Sequence, residues 1–519
     1  MLDTRPAFLY LPRMPTRGQA VHVVTTQRRY KGRLYRTHLL RRSYREAGKV
    51  KNQTLGNLSH LPEPMIDLIR RTLKGESFAP VDKAFEITRS VPHGDVRAAL
   101  RAMQRLDFAS LLSSRPCWEA KVVQGMVVAR IVEPHTKLAT SRWWHTRTLP
   151  EDLGIERADE DSLYEAMDWL LARQGTIEKK LAARHLRQGS LALYDLTSSY
   201  FEGTHCSLAH LGYNRDGKKG KLQVNYGLLT DRRGCPVSVS VYEGHVSDAK
   251  TLLPQVDKLR RDFGIERVVL VGDRGMIGQA QVEHLREVEG LAWITALKSV
   301  QIRELVEGGA LQLGLFDKRN LFELAHPSYP GERLVACRNE ELGRLRAHKR
   351  KSLLDATVKE LDKVRAMVER GTLGAAGKIG VRVGRVINKY KVAKHFDLEI
   401  GTGRFAFQIV ESSVTAEAAL DGIYVIRTSV PKREMDAAQA VRSYKSLSEV
   451  ERAFRTLKTI DLKVRPIHHR LADRVRAHIF LCMLAYYVEW HMREAWRPLL
   501  FADEDQAAKQ TRDPVAPAK

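Results

Sequence analysis

Apolar and polar residues change their spacing several times along the chain, and each change predicts a new element. Between residues 20 and 60, apolar and basic residues mix at short range, as in Val21-His-Val-Val24 and Tyr35-Arg-Thr-His-Leu-Leu-Arg-Arg-Ser-Tyr44. Gly32 and Gly48 mark turns there. This predicts a small antiparallel sheet with a basic face. Leu61-Pro62-Glu63-Pro64 breaks it, and residues 65–75 read as a helix. Val96 to Leu112, Ala120 to Val132 and Asp161 to His185 carry apolar positions at helical spacing. From 189 the pattern becomes strand-like. Strands are predicted at 190–196, 222–230 and 236–242, the last two joined through the turn Asp231-Arg-Arg-Gly234. A helix at 248–263, a buried strand at 267–271, a helix at 278–288 and a strand at 291–297 follow. Three meandering strands and then βαβ crossovers predict an α/β fold built on a mixed five-stranded sheet.

Residues 299–420 interrupt this plan. They read as a long charged helix from about Glu340 to Arg370, Gly-rich turns around 371–384, and strands at 381–389 and 404–411. A buried strand at 422–427 returns the chain to the core. Helices are expected at 434–458 and 471–496. The expected regions are therefore a basic β-rich one at 1–75, a helical one at 94–187, a core from 189–298 and 421–500, an insertion at 299–420 and a disordered tail at 501–519.

Charge adds a partner. The 519 residues hold 86 Lys+Arg against 61 Asp+Glu, for a net charge of +25. Residues 1–60 alone hold 13 Lys/Arg and 2 Asp/Glu. Such an excess suits a polyanion, and counterion release makes nucleic acid the natural one. The longest apolar run, Ile479 to Val488, falls well short of the ~20 residues of a membrane span. No long apolar segment opens the chain, so no secretory signal is expected. The five cysteines are scattered without a CxxC pair. Neither a disulfide framework nor a spaced zinc motif is expected, and a reducing cytoplasm fits. Trp143 and Trp144, in a basic segment, read as core anchors in preference to DNA contacts.

The candidate chemistry lies in carboxylates. The apolar runs Leu191–Tyr194 and Val268–Gly272 each end in an aspartate, Asp195 and Asp273. Far downstream, Glu451 sits in a helical stretch rich in Arg and Lys. Three carboxylates at strand ends and on a facing helix can hold two divalent metals against a phosphodiester. Glu451 could instead be an ordinary helix ion-pair residue with Arg455. Asp248 could be a ligand in place of Asp273, but reads better as a helix N-cap. His468 and His469 lack zinc spacing and read as surface or packing residues.

The order strand–Asp, strand–Asp, insertion, helix–Glu resembles the DDE transposases of bacterial insertion sequences, in the group with the signature Y-(2)-R-(3)-E-(6)-K. Tyr444, Glu451 and Lys458 fall on its Y, E and K places. Tyr194 to Gly203, Gly244 to Asp248, Val271 to Met276 and Arg465 to Ile479 resemble further blocks of that family. The resemblance covers about 20–500. It implies an RNase H-like catalytic domain in which Asp195, Asp273 and Glu451 bind two Mg²⁺, with Mn²⁺ able to substitute. It implies that Tyr444 and Lys458 contact phosphates of the transposon end. It further implies double-stranded DNA partners (inverted-repeat ends and target), a homodimer in the synaptic complex, and a bacterial cytoplasmic, nucleoid-associated location. The signature Arg is replaced by Leu447, for which Arg442, Arg452 or Arg455 could substitute. The insertion holds no Trp to grip a flipped base. Phe316, Phe322, Tyr329 and Tyr390 are the aromatic substitutes, and no hairpin intermediate is assigned.

The implied reaction is hydrolysis at transposon ends, then attack of the freed 3′-OH on target DNA. A nuclease without strand transfer, or a non-catalytic DNA-binding derivative, would share much of this pattern. A tyrosine recombinase is disfavoured, because His38-Leu-Leu-Arg41 is N-terminal with no catalytic domain before it.

Overall fold

The structure is a computed structural model that describes residues 20–78, 87, 89–312, 314, 316–317, 320–500 and 515. The expected tail lies outside the described residues apart from Val515. The chain forms two compact units, residues 1–90 and 91–519.

In the first unit, β1 (Val21–Tyr30), β2 (Arg33–Glu46) and β3 (Lys49–Asn57) form an antiparallel sheet in sequence order. Both turns are two residues long. Lys31-Gly32 and Ala47-Gly48 each have φ > 0 at both positions, the twist a tight hairpin needs. The helix Glu63–Leu73 lies against β1 and buries Ile66. Arg28, Arg29, Arg33, Arg36 and Arg45 are exposed on the sheet, while Arg41 and Arg42 are half-buried.

The second unit is built on one eight-stranded mixed sheet. Its strands are β4 (Ser190–Tyr200), β5 (Gln223–Asp231), β6 (Pro236–Glu243), β7 (Val268–Val271), β8 (Leu291–Ala296), β9 (Leu321–Leu324), β10 (Arg333–Arg338) and β13 (Ile423–Thr428). The spatial order is β6-β5-β4-β7-β8-β13-β10-β9. The expected five strands form one end of it. β4, β7 and β8 are parallel, and the meander β4-β5-β6 is antiparallel. The sheet is larger than expected because β13 pairs antiparallel with β8 and then recruits β10 and β9 out of the predicted insertion. The segments β9 and β10 are short and partly polar, so they carry no strong strand period. A buried ion pair locks this extension. Arg427 on β13 donates two 2.6 Å hydrogen bonds to Glu332, which also accepts from Arg286 and from Trp293 Nε1 on β8.

The helices of 94–185 and the last helix, Ala472–Leu500, share a single apolar core with the sheet. Trp144 is fully buried in it. Trp143 is partly buried, donates its indole N–H to Glu133 at 2.7 Å, and stacks under Arg147.

The part of the insertion beyond β10 has a separate core. The long helix Glu340–Glu369 appears as expected. Residues 381–389, expected as a strand, belong instead to the helix Ala376–Tyr390. Val381 and Val383 mimic strand alternation, yet Ile379, Val383 and Ile387 are the buried set, and they sit four apart on one helical face. The hairpin β11 (Phe396–Gly401) and β12 (Arg404–Ile409) packs with these helices. The lobe leaves the sheet after Arg338 and returns at Ile423, two residues paired across β10 and β13. Phe316, Phe322 and Tyr329 belong to or pack against a third small core, and Tyr390 packs on the lobe's own, so none is an open base-stacking platform.

Candidate active site

The parallel pairing of β4 with β7 fixes the first two carboxylates. Leu193 is opposite Val271, and Asp195 and Asp273 each stand two residues further on. Asp195 lies within β4 and Asp273 just past the end of the neighbouring β7. The chain turns sharply after Asp273, whose Oδ1 accepts from the backbone N–H of Gly275 (3.0 Å) and Met276 (2.7 Å). Asp195 Oδ1 accepts from the Leu196 N–H at 2.8 Å.

Glu451 arrives on a helix laid across β4. The helix expected over 434–458 is in fact two, Ala437–Lys445 and Leu447–Arg455, broken at Ser446, followed by a π-helical turn over Thr456–Ile460. Leu447, Val450, Ala453 and Phe454 are buried, so this helix has one apolar face, and Phe454 meets Tyr226 edge-on. Glu451 lies on the exposed flank. On the other side, Gly234 at the β5–β6 turn has φ +82°, and a Cβ there would come within 2.8 Å of Glu449 Cβ. Glycine thus lets the turn abut the helix at Glu449, two residues from Glu451.

Electrostatics tie the three carboxylates together. Burial, then the charge of Asp273, and also that of Glu451, push the Asp195 carboxyl up to about 7. Tyr444 feels Asp273, Glu451 and Asp195 as well, and burial together with these charges pushes its hydroxyl up to about 12. Among the described residues, none of the three carboxylates is in an ion pair: Arg215 is paired with Asp248, and Arg452 with Glu449 at 3.0 Å. Glu451 and Arg455 do not form the helix pair that their spacing allowed. The set is oxygen-only, the donor type a hard divalent cation prefers, but its ligand atoms are not drawn together within 4.8 Å as those of a closed metal cluster are.

The remaining expected residues fall in different places. Arg442, Arg452 and Arg455 are exposed along the helices. Leu447 is 8% exposed, a core position with no room for a phosphate contact. Lys458 is 9% exposed and its ammonium is 3.0 Å from Asp216 Oδ1. Burial pulls that ammonium below its usual range although Asp216 acts the other way. Asp248 is not an N-cap. Ser247 holds that place, and Asp248 is the first helical residue, turned to Arg215. His469 is neutral in its surroundings, pulled down to about 3 by burial and by Lys137; it meets Tyr164 edge to face and His478 at a tilt. Sequence reasoning missed Asp216. It is hydrogen-bonded to the Tyr200 N–H and paired with both Lys458 and Arg465. Its segment, Asn214-Arg-Asp-Gly217, reads only as a turn.

Among the described residues, no helix is long and apolar enough to cross a membrane. A family model described as "Transposase DDE domain" matches residues 187–488, and one described as "IS1634 family transposase, N-terminal domain" matches 23–81. A search of curated proteins finds no match. Among solved structures, a piggyBac transposase synaptic complex with hairpin DNA aligns at a TM-score of 0.36 with 8% identity, over 82% of this chain and 86% of that one. A Mos1 transposase paired-end complex with the left transposon end aligns at 0.16 with 11% identity, over 43% of this chain and 72% of that one. The assignment rests on the sequence models, the larger of which spans more than half of the chain. The chain belongs to the DDE transposase family, metal-dependent enzymes that cut DNA and transfer strands.

Proposed function

We propose that β6-β5-β4-β7-β8 is an RNase H-like core in which Asp195, Asp273 and Glu451 hold two Mg²⁺ ions, with Mn²⁺ able to take their place. The observation that carries this reading is the convergence on Asp195, where burial first, then the charge of Asp273 and that of Glu451, push the carboxyl up to about 7. Bound there, the two ions would stabilise the attacking and leaving oxygens of an in-line displacement at a phosphodiester.

The chain's own groups position the DNA. Tyr444 stays protonated at all working pH values and can donate to a phosphate oxygen beside the carboxylates. Arg452 and Arg455, exposed on the Glu451 helix, offer charge-assisted contacts to the backbone. Lys458 acts on the same phosphates from a buried place next to Asp216. The substrates are double-stranded DNA: transposon inverted-repeat ends, bound with help from the basic N-terminal sheet and the helices of 94–185, and target DNA. Water opens the end and the freed 3′-OH attacks the target. Two copies assemble on paired ends, in the bacterial cytoplasm.

The test is incubation of the purified chain with an end-containing duplex, target DNA and Mg²⁺. Nicked ends joined to target are expected. Nicked ends never joined would leave a nuclease, and the strand-transfer half of the reading would fail.

A further inference from the structure

Three side chains from distant parts of the sequence meet beside the last helix. His185 ends the helix Gln174–His185, Cys235 follows the β5–β6 turn, and His491 lies in Ala472–Leu500. Cys235 Sγ is 3.9 Å from His185 Nε2 and 3.8 Å from His491 Nε2. All three atoms lie within 4.8 Å of one another. A tetrahedral zinc, with Zn–S about 2.3 Å and Zn–N about 2.0–2.1 Å, sets such sulfur–nitrogen edges at about 3.6 Å. The ligand atoms therefore need only small shifts to close on an ion.

The surroundings favour this over a chance contact. The thiol carries one hydrogen yet faces two imidazole nitrogens. The turn that presents it is tied down: Asp231 Oδ1 accepts from the N–H of Arg233 (2.8 Å) and of Cys235 (3.0 Å). Asp231 also supplies negative charge to the cluster, while Arg233 is paired with Asp231 and stacked on Trp490, which offsets its charge. Burial keeps His491 neutral but also pushes the Cys235 thiol up, against the thiolate a metal needs, so the geometry carries the argument. Burial likewise lowers His185. Binding of a cation would then displace one proton, from Cys235, and leave a thiolate. A fourth group is at hand, because the Tyr487 hydroxyl is 3.1 Å from His185 Nε2.

We propose that His185, Cys235 and His491 form a site for one zinc-class divalent ion, its fourth position filled by Tyr487 or water. The ion would staple the end of a helix, the β5–β6 turn and the last helix together. The turn is the one that abuts Glu449 through Gly234, so the staple would also brace the helix that presents Glu451.

The experiment is a Co²⁺ titration of chelator-treated, reduced full-length protein. A thiolate-to-cobalt charge-transfer band and tetrahedral d–d bands are expected at one equivalent, reversed by Zn²⁺ and not by Mg²⁺. Cys235→Ser should abolish the charge-transfer band, and Cys206→Ser should retain it. His491→Gln should weaken Co²⁺ binding by more than the roughly 10–100-fold that loss of an outer-shell partner costs. If Cys235→Ser fails to fold, loss of the band in His491→Gln at the same cobalt concentration carries the same weight. Absence of the band at stoichiometric Co²⁺, or a band that survives Cys235→Ser, overturns the proposal. The three-carboxylate site has no sulfur and cannot give this band, so the two metal readings fail separately.

Discussion

Lys458 Nζ lies 3.0 Å from Asp216 Oδ1, with only 10% of the lysine side chain and 2% of the aspartate's exposed. Arg465 bonds the same oxygen. A lysine that only touched DNA would leave the free protein's stability alone. Here Lys458→Ala is expected to destabilise the DNA-free protein by roughly 2–4 kcal/mol, somewhat less than loss of an isolated buried partner because Arg465 remains. An unchanged Tm, with end binding alone impaired, would make Lys458 a phosphate ligand and nothing more.

Asp273→Asn removes a charge with little change of shape. Cleavage of an end-containing duplex in Mg²⁺ should fall by at least about 10²–10³-fold, the scale for losing one electrostatic group of an active site. End binding without metal should persist. Cutting at the wild-type rate would sink the triad.

The Asp195 carboxyl titrates near 7 in the folded, metal-free chain and near 4 when unfolded. Between those values the folded state holds the proton that the unfolded state has lost. The metal-free protein should therefore lose stability as pH rises from about 4 through 7. Asp195→Asn should raise the metal-free Tm at pH 8 and change it little at pH 4. Saturating Mg²⁺ at pH 8 should stabilise the wild type more than the variant. A variant with the wild-type pH profile would remove Asp195 from this account.

Glu332 is the single carboxylate that holds Arg427, Arg286 and the Trp293 N–H together. Glu332→Ala is expected to cost about 3–5 kcal/mol, since it strands Arg427 inside the sheet. Urea unfolding measures it. A cost below about 1 kcal/mol would mean that the extended sheet does not depend on this pair.

The first unit is compact by itself, so removing residues 1–60 should leave the second intact by circular dichroism. Affinity for end DNA should drop, and the slope of log K against log salt should flatten by about 0.9 for each phosphate that the shortened chain no longer neutralises. An unchanged slope would show that this sheet does not bind the DNA backbone.

The strands that carry Asp195 and lead to Asp273 were legible as apolar runs, but their adjacency was only a condition of the reading. β4 runs on to Tyr200, so Asp195 lies within its strand and not at its end. The positions of β9, β10 and β13 beside β8 were not legible, because pairing depends on register between segments with little period of their own. Val381 and Val383 misled by type: β-branched residues two apart suggest a strand until four-residue packing against Leu361 and Val364 decides otherwise. The break at Ser446 and the π-turn that carries Lys458 leave no mark in composition. Asp216 and the His185–Cys235–His491 cluster were invisible for a simpler reason. Their members are brought together only by the fold, 242, 50 and 256 residues apart.

Arg338 and Ile423 face each other as partners in adjacent antiparallel strands, and the lobe between them has its own core. Topologically it is the loop of a hairpin. Closing a loop costs entropy only as the logarithm of its length, so the sheet is nearly indifferent to how much chain hangs there. The lobe is in that sense a cartridge: it can be shortened to a tight turn, or exchanged for another domain with neighbouring ends, without disturbing the β4–β7 register on which Asp195 and Asp273 depend.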